Sequence, residues 1–371
     1  MRRVWEFCKK EAVLSIALVL AAVSAFFVRP DAAYAGYIDW QTLGLLFSLM
    51  AVMAGLREIG VFARLGGMLL KVVRTTRQLA CVLVMLCFFT SMLITNDVAL
   101  ITFVPFALTV LKLAGMDKQV IPVVVLQTIA ANLGSMATPI GNPQNLYLYS
   151  QSGMAFGPFF LLMLPYTAIS LALLLLCLFV IPKRTLDSSA LAAEGAERKI
   201  PALRAAAYVV LFVLGVLSVA KIVPWTALLV IVLIAVLILD RKVLLKVDYA
   251  LLVTFAGFFV FIGNLGRIDA FRQVVESLIS GREVLLSVAV SQVLSNVPTA
   301  LLLSGFSDNW PALILGTNLG GLGTLIASMA SLISYKLLAK EHPTLKGKYF
   351  VQFTLYNIGF LAVLAIAYFM L

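Results

Sequence analysis

Charge is scarce in this chain. Only 12% of its 371 residues are Asp, Glu, Lys or Arg, while 62% are hydrophobic. That balance excludes an ordinary soluble domain and fits a chain threaded repeatedly through a bilayer. Histidine occurs once, at His342 in a charged loop, and the four cysteines (Cys8, Cys81, Cys87, Cys177) are scattered without CxxC spacing. Neither a metal centre nor a disulfide framework is indicated. A phosphate-binding loop and a Ser/His/Asp set are also missing, which argues against ATP-driven work and against an enzyme. No cofactor is expected. The net charge of +11 is no nucleic-acid signature, because the basic residues flank apolar runs instead of forming one patch.

Apolar sequence is abundant. Runs of spanning character recur at Ala12–Phe27, Thr42–Leu56, Phe159–Ile181, Tyr208–Ala220, Trp225–Leu239, Ala250–Leu265 and Phe350–Leu371. The first, between basic Met1–Lys10 and Ala33-Tyr34-Ala35, resembles a signal peptide. A retained helix is preferred, because the repeat below uses it. If the basic loops are cytoplasmic, 23 of the 28 Lys and Arg lie inside and five (Arg29, Lys221, Arg267, Arg272, Arg282) lie outside. This predicts a multi-pass protein of a bacterial plasma membrane, N-terminus cytoplasmic and C-terminus outside.

Two stretches do not fit as ordinary spans. Residues 78–111 lie between Arg77 and Lys112. They are too few for two crossings of about 20 residues each, and as one straight helix they would overshoot the hydrocarbon by roughly 20 Å. Residues 284–307 are fewer still. Each stretch has a polar tripeptide at its centre, Thr95-Asn96-Asp97 and Ser295-Asn296-Val297. Both read as re-entrant hairpins of half-depth helices entering from opposite sides.

Further pairs match in the same order. Asp39-Trp40 resembles Asp248-Tyr249, and Asn132–Thr138 corresponds to Asn318–Thr324. Arg57–Arg77 and Arg267–Gly281 each read as an amphipathic interfacial helix. The expected fold is an all-α polytopic membrane protein of two inverted repeats, with about nine full transmembrane helices plus two re-entrant hairpins and broken helices. The first repeat covers 1–182 (hairpin 78–111, broken helix 119–145). A cytoplasmic linker and connecting helix cover 183–221. The second repeat covers 222–371 (hairpin 284–307, broken helix 310–335).

The chemistry is expected where the polarity is. Asn132–Asn145 reads NLGSMATPIGNPQN, and its Gly134, Pro139, Gly141 and Pro143 oppose a continuous helix. Broken helices expose carbonyls for a cation and amide N-termini for an anion. Thr138, Asn142, Gln144 and Asn145 add side-chain groups. Asn318–Thr324 repeats the break with Gly320, Gly321 and Gly323. Asp97 is the one acidic residue placed at membrane depth, with no Lys or Arg expected beside it. It must therefore ligate a cation or carry a proton, besides capping the helix that follows. The second tip has Val297 in its place, so the two halves are not equivalent.

At these residues the chain resembles the ion transporter superfamily, in its citrate-transporter-like and arsenite-permease group, which also holds sodium–proton antiporters. Thr95–Leu100 with Pro105, Ala131–Asn145 and Ser295–Pro298 carry the resemblance. It implies a scaffold and a moving, elevator-type domain, with substrate between the tips and cations beside them. The substrate group would be Thr95, Asn96, Thr138, Asn142, Ser295, Asn296 and Thr324. The coupling-ion group would be Asp97, Asn96, Asn132, Gly134, Asn296, Asn318 and Gly320, with Na⁺ or H⁺ as the ion. Val297 and Asp97 stand where the related divalent-anion symporters have threonine, which weakens a transfer of dicarboxylate specificity. The implied activity is ion-coupled secondary transport of a small anion such as a carboxylate or oxyanion. The other expectations are Na⁺/H⁺ antiport and arsenite efflux. The partners expected are that anion and the bilayer. A homodimer is compatible with this class and not required by the sequence.

Overall fold

The computed structural model describes residues 11–186 and 200–371. The expected linker falls largely on 187–199, outside the described residues. Apolar composition and well-capped termini give eighteen α-helices and no β-strand among the described residues. α1 (Ala12–Phe27) and the short α2 (Tyr34–Tyr37) lead to α3 (Trp40–Glu58), whose start is fixed by the Asp39 carboxylate accepting from the Thr42 amide at 3.0 Å. The amphipathic α4 (Val61–Leu70) precedes the pair α5 (Thr76–Ser91) and α6 (Asn96–Leu113). α7 (Val120–Ser135) is separated by a non-helical break from α8 (Pro143–Ser152), and α9 (Phe156–Leu178) closes the first half.

After α10 (Ala202–Val219) and α11 (Trp225–Asp240) the order recurs. α12 (Tyr249–Gly266) starts on an Asp248 cap to the Leu251 amide at 3.0 Å, as α3 starts on Asp39. The amphipathic α13 (Asp269–Ile279), the pair α14 (Glu283–Leu294) and α15 (Asn296–Ser304), the interrupted α16 (Trp310–Leu319) and α17 (Met329–Glu341), and α18 (Lys346–Met370) follow. Helix pairs and interrupted helices thus occur in both halves, with bounds other than those expected. The first hairpin runs from Thr76 to Leu113 and the first interrupted helix extends to Ser152. α6, expected as a half-depth arm, is an 18-residue helix with Pro105 inside it.

Six helices are by length and composition able to cross a membrane: α3, α6, α9, α10, α12 and the C-terminal helix. α1 and α11 have 16 residues each. The chain is an all-α polytopic membrane protein.

Packing contacts come in exchanged pairs. α5 packs on α7, and α14 packs on α16. α6 packs on α17, and α15 packs on α8. α1 packs on α12 of the second half, and α11 packs on α3 of the first. Helices embedded in lipid gain little from burying apolar surface, so close approach through small residues carries the packing. Gly134 shows how close this is: a Cβ there would lie 2.1 Å from the Phe88 carbonyl oxygen of α5. Gly134→Ala is therefore expected to destabilise the α5–α7 contact by about 1–3 kcal/mol. A lower thermal unfolding midpoint in detergent checks this.

Candidate functional site

Each hairpin tip is tied to the break of its own half by one backbone bond. The Asn96 amide donates to Gly141 O at 3.0 Å, and the Asn296 amide donates to Ala327 O at 2.9 Å. The tips differ in shape. In the first, Met92–Thr95 make the turn, and Thr95 is an ordinary extended N-cap. In the second, α14 runs to Leu294 and Ser295 alone reverses the chain at φ 77°, ψ 153°. That conformation is close to glycine-only and costs about 1–3 kcal/mol for serine.

The breaks are joined to each other by side chains, again in exchanged pairs. Asn142, the N-cap of α8, donates through Nδ2 to Asn318 Oδ1 at 3.2 Å. Ser328, the N-cap of α17, donates through Oγ to Asn132 Oδ1 at 3.1 Å. One turn further along, Asn318 Nδ2 donates to Asn145 Oδ1 at 2.6 Å, and Asn132 Nδ2 donates to Ser331 Oγ at 3.2 Å. All six side chains are buried. The symmetry fails at one place. Asn96 Nδ2 donates to Asn132 Oδ1 at 3.0 Å, whereas Asn296 makes no bond to Asn318.

The expected site residues divide accordingly. Asn96, Asn132, Asn142, Ser295, Asn296 and Asn318 converge where the tips meet the breaks. Thr138 and Thr324 have a different job from the one expected. Thr138 Oγ1 donates to Met92 O at 2.5 Å, and Thr324 Oγ1 donates to Gln292 O at 3.1 Å. They latch each break to the arm of its hairpin, and Thr324 is exposed. Gly134 and Gly320 were expected to bare carbonyls for an ion. Gly134 instead lies inside α7, against Phe88. Gly320 is the C-cap of α16, where a Cβ would stand 2.6 Å from Ser291 Oγ. Both positions are small for packing. Asn145, Ser328 and Ser331 were missed as a set. Counting from Asn132 and Asn318, Ser328 and Ser331 fall on Asn142 and Asn145, and that alignment carried the signal.

Asp97 opens into a cleft of about 100 Å³ walled by Leu46, Met50, Thr95 and Leu251. The sequence places no basic residue beside Asp97. The fold brings Arg57 and Lys246 to the same cleft, because the C-terminus of α3 and the N-terminus of α12 meet there. The Asp97 carboxylate itself has no hydrogen-bond or ion-pair partner among the described residues. Beside it, sharing Asp97, Pro143 and Leu251, is a gap of about 10 Å³ between the tips, lined also by Asn96, Gln144, Asn296 and Ser328. That is about the room needed by one water.

The matching positions of the second half are filled by aromatic rings. Counting from the caps Asp39 and Asp248, Phe255 and Phe259 stand where Leu46 and Met50 stand in the first half. Tyr147 of α8 packs on both rings, with centroids 6.2 and 5.6 Å away, and its hydroxyl bonds Ser304 at 2.9 Å. Gln151 adds a bond to Asp39 at 2.7 Å.

A helical frame whose polar tips meet at interrupted helices inside an apolar shell is that of a multi-pass membrane protein, and the family and relatives it matches make it a transporter rather than an enzyme. Residues 4–307 match the profile of the citrate transporter family, and the chain belongs to that family. It is 32% identical over 328 residues to the inner membrane protein YbiR of Escherichia coli, covering 86% of each chain. It is also 32% identical over 303 residues to an uncharacterized transporter of Methanocaldococcus jannaschii, covering 81% of each. Over 163 residues it is 34% identical to the silicon efflux transporter LSI3 of Oryza sativa, covering 44% of this chain and 33% of that one.

The exchanged asparagines should be energetically coupled. A double-mutant cycle on Asn145→Ala and Asn318→Ala is expected to give an interaction energy of about 1 kcal/mol or more. Additive losses in thermal or denaturant stability would remove the network from the account.

Proposed function

We propose that the protein is an ion-coupled secondary transporter of a small anion, a carboxylate or an oxyanion, working by alternating access. The observation that carries this reading is the cleft. It brings basic residues and an unpartnered carboxylate to the junction of two hairpin tips, while the matching positions of the other half are packed with aromatic rings. Transport needs a central site reached from one side at a time, and a near-symmetric frame with unequal residues in its halves supports two such states. The interrupted helices support the same reading, since non-helical backbone inside an apolar shell is tolerated where it lines a cavity.

In this reading Asp97 carries the coupling ion, H⁺ or Na⁺. Asn96 and Asn296 face the gap from the two tips, with Asn132 and Asn318 orienting the breaks behind them. The hairpins and interrupted helices move as one body against a scaffold that includes α3 and α12, with the amphipathic α4 and α13 as connecting arms. The protein sits in a bacterial plasma membrane, with the Arg57 mouth on the cytoplasmic side, as the distribution of basic loops supports. A second reading is efflux, favoured by the likeness to a silicon efflux transporter. It uses the same cleft in the opposite direction.

Asp97→Asn is expected to lower gradient-driven uptake in proteoliposomes at least tenfold while the purified protein stays monodisperse. Wild-type rates in that variant would remove Asp97 from coupling. A Na⁺ gradient imposed over a vesicle-trapped pH dye, with no anion present, separates the alternatives. Proton movement under those conditions would mark a Na⁺/H⁺ antiporter and overturn the anion reading.

A further inference from the structure

The cleft that leads to Asp97 holds two polar groups that no side-chain bond among the described residues uses. Arg57, in the last turn of α3, is half-buried in its outer wall. Of the acids near Arg57, Asp97 makes no ion pair with it, and the other two are engaged elsewhere. Glu58 pairs with Lys246, and Asp248 caps α12 through the Leu251 amide. None of the ion pairs among the described residues includes Arg57. At the inner end of the cleft, Gln144 is 1% exposed and its Nε2 donor has no partner, although its side chain lines the gap between the tips. A buried amide donor left without an acceptor costs about 1–3 kcal/mol. Its presence here points to an acceptor that arrives from outside. The position matching Gln144 in the second half is Ala330, so this donor is no part of the duplicated frame.

We propose that Arg57 and Gln144 are the anion-recognition residues of this cleft, Arg57 gathering a carboxylate or oxyanion at the mouth and Gln144 donating to it in the gap. The inference rests on the anion reading above and names the groups that read the charge. A guanidinium matches planar and tetrahedral oxyanions with two parallel N–H donors, and at a mouth it raises the local anion concentration. A neutral carboxamide at the inner end holds the anion without the deep trap that a second cation would create. Asp97 stands between them on the wall of the same cleft. Its negative carboxylate repels the anion until a proton or a cation neutralises it, so the anion and the coupling ion favour each other's binding.

The test uses purified wild type, Arg57→Gln, Arg57→Lys, Gln144→Leu and Glu58→Gln in detergent. Each is titrated with citrate, sulfate and phosphate and read by the shift in thermal unfolding midpoint. At least one anion is expected to stabilise the wild type. Arg57→Gln should weaken its apparent affinity about tenfold or more, which corresponds to about 1.4 kcal/mol. Arg57→Lys should recover part of the loss, Gln144→Leu should also weaken binding, and Glu58→Gln, which releases Lys246 to the same cleft, should bind at least as tightly as wild type. The lysine variant and the rim control guard against a loss caused by misfolding. If none of the three anions stabilises the wild type, or if Arg57→Gln and Gln144→Leu both bind like the wild type, the proposal is overturned. Uptake into proteoliposomes tests the transport reading separately. Anion binding without uptake would remove that reading and leave the recognition residues standing, whereas uptake insensitive to both substitutions would remove only the recognition residues.

Discussion

A helix interrupted inside an apolar shell exposes carbonyls and amides that water does not reach, and each bare group costs several kcal/mol. The fold depends on how this chain satisfies them. Asn142 caps its break by accepting from the Asn145 amide, Ser328 stands at the N-cap of α17 without a side-chain bond to that helix, and each bonds an asparagine of the other half. Neither break is complete without its counterpart. The hairpin tips hang from the same frame through single backbone bonds to Gly141 and Ala327, so the position of the gap follows from the asparagine exchange.

On that near-symmetric frame the chemistry is placed unequally. Asp97 faces Val297, Gln144 matches Ala330, and the slim Leu46 and Met50 match Phe255 and Phe259. One half thereby presents polar groups where the other packs aromatic rings. In the proposed carrier that inequality would give two states different affinities for charge, since a ligand shifts an equilibrium only by its preference for one state over the other.

Much of this was legible in the sequence. The all-α polytopic class was legible from the apolar runs, and the polar tips and the glycine- and proline-rich break that recur in the second half with recognisable residues pointed to where polar groups gather. The partners of Asn132 were harder. Ser328 and Ser331 take the places of Asn142 and Asn145 with a different side chain, and a hydroxyl and a carboxamide share only their ability to bond. Thr138 and Thr324 look like ligands in a list of polar residues. Only the fold shows their hydroxyls directed at the carbonyls of Met92 and Gln292. Arg57 was read as a loop charge that sets topology. Its place in the cleft depends on where α3 ends relative to α12, a distance that no local pattern encodes.

The swapped packing of α1 on α12 and of α11 on α3 bears on how the chain is made. Two-thirds of the best spanning window of α3 is buried in the finished protein, and much of that cover comes from α10 and α11. Those helices leave the ribosome only after the whole first half. During synthesis α3 must therefore wait in the bilayer with its protein-facing side turned to lipid, and α1 must wait longer for α12. The first half thus cannot mature as a finished unit ahead of the second, and assembly is completed only when the late helices slot between the early ones.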